Sequence, residues 1–150
     1  MIRDEVPTSA PSRALYAEYM EFVRSRLGGA FVPTEAIFAT EDDFAGNDSA
    51  WLVVYDGERP VACGGLRVLA PGVGEIKRMF VTAGARGGGL GRALLEELEA
   101  RARAAGCERV VLYTTEVLRE ARALYRDAGY RVVGVNALDD RRDLWLDKRL

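Results

Sequence analysis

A chain of 150 residues, 49% of them hydrophobic and 29% charged, has the size and balance of a single globular domain over 1–150, not those of a disordered or fibrous protein. It contains no His and only two Cys, which excludes Ser-His and Cys-His nucleophile pairs and a Cys/His zinc site, so we expect no metal. The net charge of -2 gives no reason to expect nucleic acid as a partner.

The sequence also indicates the cellular compartment and the kinds of ligand that the protein could bind. No apolar run approaches the roughly 18 residues of a membrane span, and the first residues, "MIRDEVPTSAPSR", do not resemble a signal peptide. We therefore expect no membrane association, a cytoplasmic location, and buried, reduced Cys63 and Cys107. Residues 1–75 carry 12 acidic and 6 basic side chains, against 11 and 15 in 76–150. This asymmetry indicates either two solvated faces or a basic half for a polyanionic cofactor and an acidic half for a cationic acceptor.

The first elements are a helix and a hairpin. Helical spacing of apolar residues predicts a helix from about Pro11 to Leu27, capped by Ser9. Residues 30–48 are ambiguous between a short helix and a loop with Phe38 and Phe44 turned inward. Two apolar runs around Asp56-Gly57 in "AWLVVYDGERPVACGGLRVL" predict a β-hairpin, and the Gly64-Gly65 pair in its second strand predicts a bulge or a close backbone approach.

A strand, a glycine run and two helices occupy the middle of the chain. A third strand is predicted over 74–82 and a helix from Gly91 to about Ala105, with ion pairs Glu97–Arg101 and Glu99–Arg103 on its outer face. The inward positions of this helix are Leu94, Leu95, Leu98 and Ala102. The run "ERVVLYTT" predicts a buried strand, and 116–128 a helix that ends before Gly129.

Two strands close the chain. They are "YRVVGV" and "RDLWLDKRL", and in the latter Leu144, Leu146 and Lys148 alternate with Trp145 and Asp147. The strand-helix-strand of residues 75–114 implies one parallel pair in an otherwise antiparallel arrangement. The predicted fold class is therefore a mixed α/β sandwich and not a doubly wound sheet.

The glycine run "ARGGGLGRALL" fits an anion-binding turn better than other phosphate motifs. The dinucleotide fingerprint fails in both registers, and no Gly-Lys-Ser/Thr of a P-loop is present. What remains is Arg86-x-x-Gly89-x-Gly91 at the start of a helix, where unpaired N–H groups and the helix dipole favour an anion such as a pyrophosphate. Arg86 and Arg92 bracket it. The alternative is a simple tight strand-to-helix turn.

Two stretches of the chain resemble the acyl-CoA-binding motifs of the GNAT superfamily of N-acetyltransferases. They are residues 86–91, which follow "EIKRMFV", and "EARALYRDAGY" at 120–130. The resemblance implies a central, mostly antiparallel twisted sheet with one splayed parallel strand pair, flanked by helices. It also implies that the substrate acetyl-CoA lies along the bulged strand and that its pyrophosphate sits in the loop. The residues implied in this binding are Met79, Phe80, Val81, Arg86, Gly87, Gly88, Gly89, Leu90, Gly91 and Arg92.

The resemblance also implies catalytic roles. Tyr125 would protonate the departing thiolate, and Glu75 would take a proton from the acceptor amine, directly or through water; a strand N–H freed by the bulge would meet the oxyanion. The alternatives are that Tyr125 is a core residue and that Glu75 pairs with Lys77 or a neighbouring Arg. Arg78 is expected on the opposite strand face from Glu75. Leu118 stands where many relatives carry an Asn, which leaves the strand and the loop to bind the cofactor.

The function implied is an N-acetyltransferase that moves the acetyl group of acetyl-CoA directly to a primary amine. A small cationic or amino-acid-like molecule is the expected acceptor, with the acidic stretch "TEDDFAGND" as a weak indication of a cation. The alternatives are acetylation of a protein or peptide amine and a non-catalytic acyl-CoA-binding regulator. A homodimer through exposed C-terminal strands is compatible with the pattern.

Overall fold

A computed structural model of the chain describes residues 1–28, 41–138 and 141–150. The strands are β1 Ile2–Asp4, β2 Ala50–Asp56, β3 Arg59–Ala70, β4 Val73–Val81, β5 Arg109–Thr115, β6 Arg131–Leu138 and β7 Arg141–Arg149. The helices are α1 Ala10–Leu27, α2 Leu90–Ala104 and α3 Arg119–Asp127, with short 3-10 turns at Glu41–Phe44 and Ala83–Ala85. The seven strands form one sheet in the order β1-β2-β3-β4-β5-β7-β6, which confirms the mixed α/β prediction. No helix within the described ranges is long and apolar enough to cross a bilayer.

The sheet has a gap between two of its strands, β4 and β5. β4 and β5 pair in parallel, from Val73 opposite Arg109 to Ile76 opposite Leu112, whereas the other neighbouring strands pair antiparallel. β4 continues to Val81 and β5 to Thr115 without further pairing to each other. The two strands therefore splay apart beyond Ile76, as the family resemblance implied.

Each face of the sheet carries its own core, because successive strand residues point to opposite faces. On one face, Leu52 and Val54 of β2 pack in a cluster with the predicted inward residues of α2, Leu94, Leu95, Leu98 and Ala102. On the other face, Trp51 and Val53 join Leu15 of α1 and Phe80 of β4. The site lies where the splay interrupts the sheet between these two layers.

Several predicted details of the elements are confirmed. The side chain of Ser9 accepts a hydrogen bond from the backbone N–H of Ser12 and caps α1. Phe44 is buried, and Cys63 and Cys107 are buried and free. A Cβ built at Gly65 would lie 2.3 Å from a ring carbon of Phe44, so glycine is required there for close approach. The expectations for residues 30–40, Phe38 included, lie outside the described residues.

Two element boundaries differ from the prediction. β1 was not predicted, because three residues carry too little pattern; it is added by pairing with β2, Arg3 lying opposite Val53. α3 begins at Arg119 and not at 116. The chain first makes a turn in which the N–H of Leu118 donates to the carbonyl of Thr115, and this turn leaves Val117 37% exposed.

One charge assignment was wrong in part. The ion pairs Glu97–Arg101 and Glu99–Arg103 are present at 2.9 Å and 3.8 Å, but Glu99 is buried and not on the outer face of α2, accepting hydrogen bonds from the Tyr130 hydroxyl and the Lys148 ammonium at 2.9 Å. On β7, Asp143 and Asp147 are buried as well. These carboxylates find partners on neighbouring strands, which a single-strand pattern does not reveal.

Candidate active site

A cavity of about 390 Å³ occupies the gap between β4 and β5 and is covered by α1, α3 and the start of α2. Ten of the twelve residues predicted for the site line it: Met79, Phe80, Val81, Arg86, Gly87, Gly89, Leu90, Gly91, Arg92 and Tyr125. Gly88 and Glu75 are not among the lining residues. β4, the glycine loop and α3 thus border the same cavity, although they are separated in sequence.

The glycine loop has the backbone conformation of an anion-binding turn. Gly87 and Gly89 have φ of +81° and +77°, a region that costs other residues about 1–2 kcal/mol. α2 begins at Leu90 directly after Gly89, and no side chain of the described part of the chain caps its N-terminus. The first-turn N–H groups and the positive end of the helix dipole are therefore available to a negatively charged group.

The backbone of Val81 faces the gap. Ala62 and Val81 lie opposite each other in the β3–β4 register, and the next pair along the strands is joined by the hydrogen bond from the Thr82 N–H to the Val61 carbonyl. In an antiparallel pair the hydrogen-bonding direction alternates, so the N–H and carbonyl of Val81 point away from β3. The Arg86 Nε occupies this carbonyl at 3.0 Å, and the N–H of Val81 faces the gap beside it.

Two arginines bracket the loop and are held by their surroundings. The guanidinium of Arg86 also lies 4.4 Å from the centroid of the Phe22 ring of α1. Arg92 donates from Nε to Glu96 and from Nη1 to the backbone carbonyl of Asp127. Both cations therefore stand at the loop end of the cavity in fixed orientations.

Tyr125 is on the cavity-facing side of α3 and is only 7% exposed. Its ring makes an edge contact with Tyr130 at 5.9 Å between centroids. Burial raises the pKa of Tyr125 above its usual value, with a smaller contribution from nearby Tyr19. The hydroxyl is therefore protonated at neutral pH and has a proton to donate.

Glu75 belongs to an ion-pair network beside the cavity. Its carboxylate is 1% exposed and lies 2.8 Å from Arg67 Nη2 and 3.3 Å from Lys77 Nζ. Arg67 in turn contacts Asp43 at 2.7 Å. The pairing with Lys77 and an Arg, stated as the alternative for Glu75, is thus present. Of these four residues Lys77 lines the cavity, so Glu75 orients a side chain that faces the ligand space.

The bulge in β4 changes the face of Arg78. Lys77 lies opposite Gly65 and Phe80 opposite Cys63, so two residues of β4 stand against Gly64 alone, and Arg78 has φ of +55°. The guanidinium of Arg78 lies 4.7 Å from the Tyr16 ring centroid on the α1 side. The expectation that Arg78 occupies the face opposite Glu75 was wrong, because a bulge interrupts the alternation of side chains.

Four polar side chains line the cavity away from the glycine loop, and we call them the polar wall: Lys77, Arg78, Tyr113 and Asp143. Asp143 is 1% exposed and accepts a hydrogen bond from the Tyr113 hydroxyl. The Tyr113 ring packs on Trp145 at 4.8 Å. The sequence reasoning missed Tyr113 and Asp143; the signal was an acidic residue in the apolar strand "RDLWLDKRL".

The buried thiols do not belong to the cavity lining. Burial raises the pKa of Cys63 to about 12, against a lowering influence of Arg78, and burial also raises the pKa of Cys107. Both thiols are therefore protonated at neutral pH, and a thiol in that state is a poor nucleophile.

Sequence relatives point to one reaction class. An "IAA acetyltransferase" of Azospirillum brasilense is 43% identical over 84 residues, which cover 55% of this chain and 55% of the relative. An "Uncharacterized N-acetyltransferase YjcF" of Bacillus subtilis (strain 168) is 32% identical over 116 residues, 72% of this chain and 80% of the relative. The chain thus spans about half the length of the first of these proteins.

Solved structures share the fold across the whole chain. An acetyltransferase from Streptococcus agalactiae 2603 has a TM-score of 0.79 at 19% identity, covering 100% of this chain and 98% of that one. An aminoglycoside 6'-N-acetyltransferase complexed with coenzyme A has a TM-score of 0.75 at 15% identity, covering 99% and 96%. The sequence profile described as "Acetyltransferase (GNAT) family" matches residues 10–130. The chain therefore belongs to the GNAT family of acetyltransferases.

Proposed function

We propose that this protein, as a single domain over 1–150, transfers the acetyl group of acetyl-CoA directly to a primary amine of a small molecule. The observation that carries the proposal is that the anion-binding loop, the open edge of β4 and Tyr125 all border the same cavity. The coenzyme A in the aminoglycoside acetyltransferase of similar fold supports the choice of co-substrate.

The geometry fits the two parts of coenzyme A. The N–H groups of the loop and of the first turn of α2, with Arg86 and Arg92 beside them, suit the doubly charged pyrophosphate. The gap-facing backbone of β4, from Met79 to Val81, suits the amide groups of pantetheine as an added strand would. The N–H of Val81 makes this contact while Arg86 holds its carbonyl.

At neutral pH the acceptor amine is an ammonium ion, so it loses one proton before it attacks and a second one, to water, after the C–N bond has formed, while one proton reaches sulfur. The amine nitrogen forms the new C–N bond, the thioester C–S bond breaks, and Tyr125 donates its proton to the departing sulfur. Because burial raises the pKa of Tyr125, the hydroxyl keeps its proton until negative charge develops on the sulfur. Positioning of the two substrates supplies the remaining acceleration.

Glu75 takes the amine proton through water in this proposal. Its carboxylate does not line the cavity and is engaged by Arg67 and Lys77, so direct contact with the amine is not part of the mechanism. The oxyanion is met by the backbone N–H of Met79 in the bulged segment, since the N–H of Val81 is engaged by pantetheine. Glu75→Gln should therefore lower kcat more than it weakens coenzyme A binding.

An assay of thiol release from acetyl-CoA against a panel of amines and peptides tests the function. Small amines should be acetylated, and Tyr125→Phe should slow the reaction while coenzyme A still binds. Tyr55→Phe is the matched control, since the Tyr55 hydroxyl donates to Glu5 and does not line the cavity. Binding of coenzyme A without turnover of any amine or peptide would instead favour an acyl-CoA-binding regulator.

A homodimer is the assembly we propose. β6 is an edge strand of the sheet, and it exposes Val132, Val133 and Val135. An apolar edge of this kind favours pairing with a second strand. Light scattering coupled to gel filtration measures the mass; a monomer at micromolar concentration contradicts the proposal.

A further inference from the structure

The polar wall carries charges of both signs on opposite sides of the β4–β5 gap. Lys77 stands on β4 next to Glu75, and the bulge directs Arg78 to the α1 side of the sheet. Asp143 stands on β7, beyond β5, with the Tyr113 hydroxyl donating to it. A ligand in the cavity thus has two cations on one side and a carboxylate on the other.

These cations are separate from the loop that suits the pyrophosphate. A strand rises about 3.3 Å per residue, so Lys77 is about 10–13 Å from Val81 along β4. Arg86 and Arg92 already provide positive charge at the loop end. Lys77 and Arg78 therefore face the acceptor end of the cavity.

The wall does not suit an acceptor that carries only positive charge. A polyamine would place ammonium groups beside Lys77 and Arg78, and like charges at short range oppose binding. The acidic stretch that had indicated a cation does not help, because Asp43 and Asp48 line a different cleft with Arg67 and Val68. Among the described residues the other carboxylate of the lining is Glu120, which is already paired with Arg26 at 2.6 Å, so the attraction for a cation lies mainly on the side of Asp143.

We propose that the acceptor is an amino-acid-like zwitterion whose carboxylate is bound by Lys77 and Arg78 and whose ammonium group is held by Asp143 until water passes its proton to Glu75. This inference rests on the proposed acetyl transfer and names its acceptor class. An Arg guanidinium is well shaped for a carboxylate, and its stacking over Tyr16 holds it in place. Glu75, at 3.3 Å from Lys77, fixes the second cation, so little ordering is needed on binding.

The test compares matched acceptors in the thiol-release assay. Each amino acid is paired with its carboxamide and with the corresponding decarboxylated amine, for example tyrosine with tyrosinamide and tyramine, and lysine with lysinamide and cadaverine. In the wild type, kcat/KM for the best acid should exceed that of its amide and amine at least tenfold. Lys77→Gln and Arg78→Gln should narrow this ratio toward one through a higher KM for the acid.

Arg149→Gln is the matched control, because it removes the same charge from the exposed far end of β7. Circular dichroism and the Kd for coenzyme A check that each variant is folded. Amides or amines that equal or surpass the acids in the wild type overturn the zwitterion proposal and leave acetyl transfer standing. Failure of the proposed function has a different signature, since then no acid, amide or amine releases thiol, and that result overturns both.

Discussion

The two ends of the cavity are built from different parts of the chain. At the loop end, residues 86–92 offer main-chain N–H groups and two arginines from one continuous segment. At the other end, the polar wall offers side chains from β4, β5 and β7. Backbone groups suit the constant cofactor that we propose for the loop end, whereas side chains can be replaced one at a time, which suits the end where we propose that the acceptor binds.

The largest expected effect concerns Tyr125, the proposed proton donor in the transfer from coenzyme A to the acceptor. Tyr125→Phe removes the proton donor and should lower kcat by roughly 10²-fold or more, while the Kd for coenzyme A changes little. Steady-state kinetics and calorimetric titration separate the two quantities. An unchanged kcat in a folded variant would make Tyr125 a core residue only, which is the alternative its buried position allows.

The loop end should respond to strain in its backbone. Gly89→Ala places a side chain at φ of +77° at a cost of about 1–2 kcal/mol, and we expect about tenfold weaker coenzyme A binding. All acceptors should be affected equally. Gly84→Ala is the control, since Gly84 has no positive φ and a Cβ there meets no atom within 4 Å. Equal affinities for the two variants would show that the φ at Gly89 is not required.

The other end should respond to packing beneath the bulge. In Gly65→Ala the new Cβ would lie 2.3 Å from Phe44 and 2.8 Å from Trp51, which should lower the free energy of unfolding by about 1–3 kcal/mol. Phe44 also lies 5.9 Å from the guanidinium of Arg78, so KM for the acceptor should rise while coenzyme A binding persists. Urea unfolding measures the first effect. Gly46→Ala, whose Cβ has only Ser49 within 4 Å, should leave both quantities unchanged.

The smallest effect is remote from both ends. Asp4 of β1 pairs with Arg101 of α2 at 2.6 Å, and hydrogen bonding to Arg101 lowers the pKa of Asp4 below its usual value. Because the pKa of Asp4 is lower in the folded than in the unfolded chain, ionised Asp4 stabilises the fold at pH values above its unfolded-state pKa. This contribution is lost as the pH falls through the folded-state pKa. Because Asp4 is 65% exposed, Asp4→Asn should cost only about 0.2–1 kcal/mol at neutral pH. Thermal unfolding at pH 7 and pH 3 measures the difference, which should shrink at the lower pH and in high salt; a constant difference would refute the ion-pair account.

Features that depend on local spacing could be predicted from the amino-acid sequence alone. Mixed sheet order, the helix after the glycine run and the inward residues of α2 followed from residues within one or two elements. The positive φ at Gly87 and Gly89 is likewise a local requirement that only glycine meets easily. The motif therefore indicated the loop end of the cavity before the fold was known.

The polar wall, by contrast, is assembled by contacts between distant parts of the chain. Glu75 and Arg67 meet because β3 and β4 pair in register, Arg78 changes face because of a two-residue bulge, and Asp143 reaches the cavity because β7 lies next to β5. The burial of Glu99 depends in the same way on Lys148, 49 residues away. Charges are buried only where distant partners offset the cost of desolvation, and those partners are set by strand order and register, which no local pattern encodes.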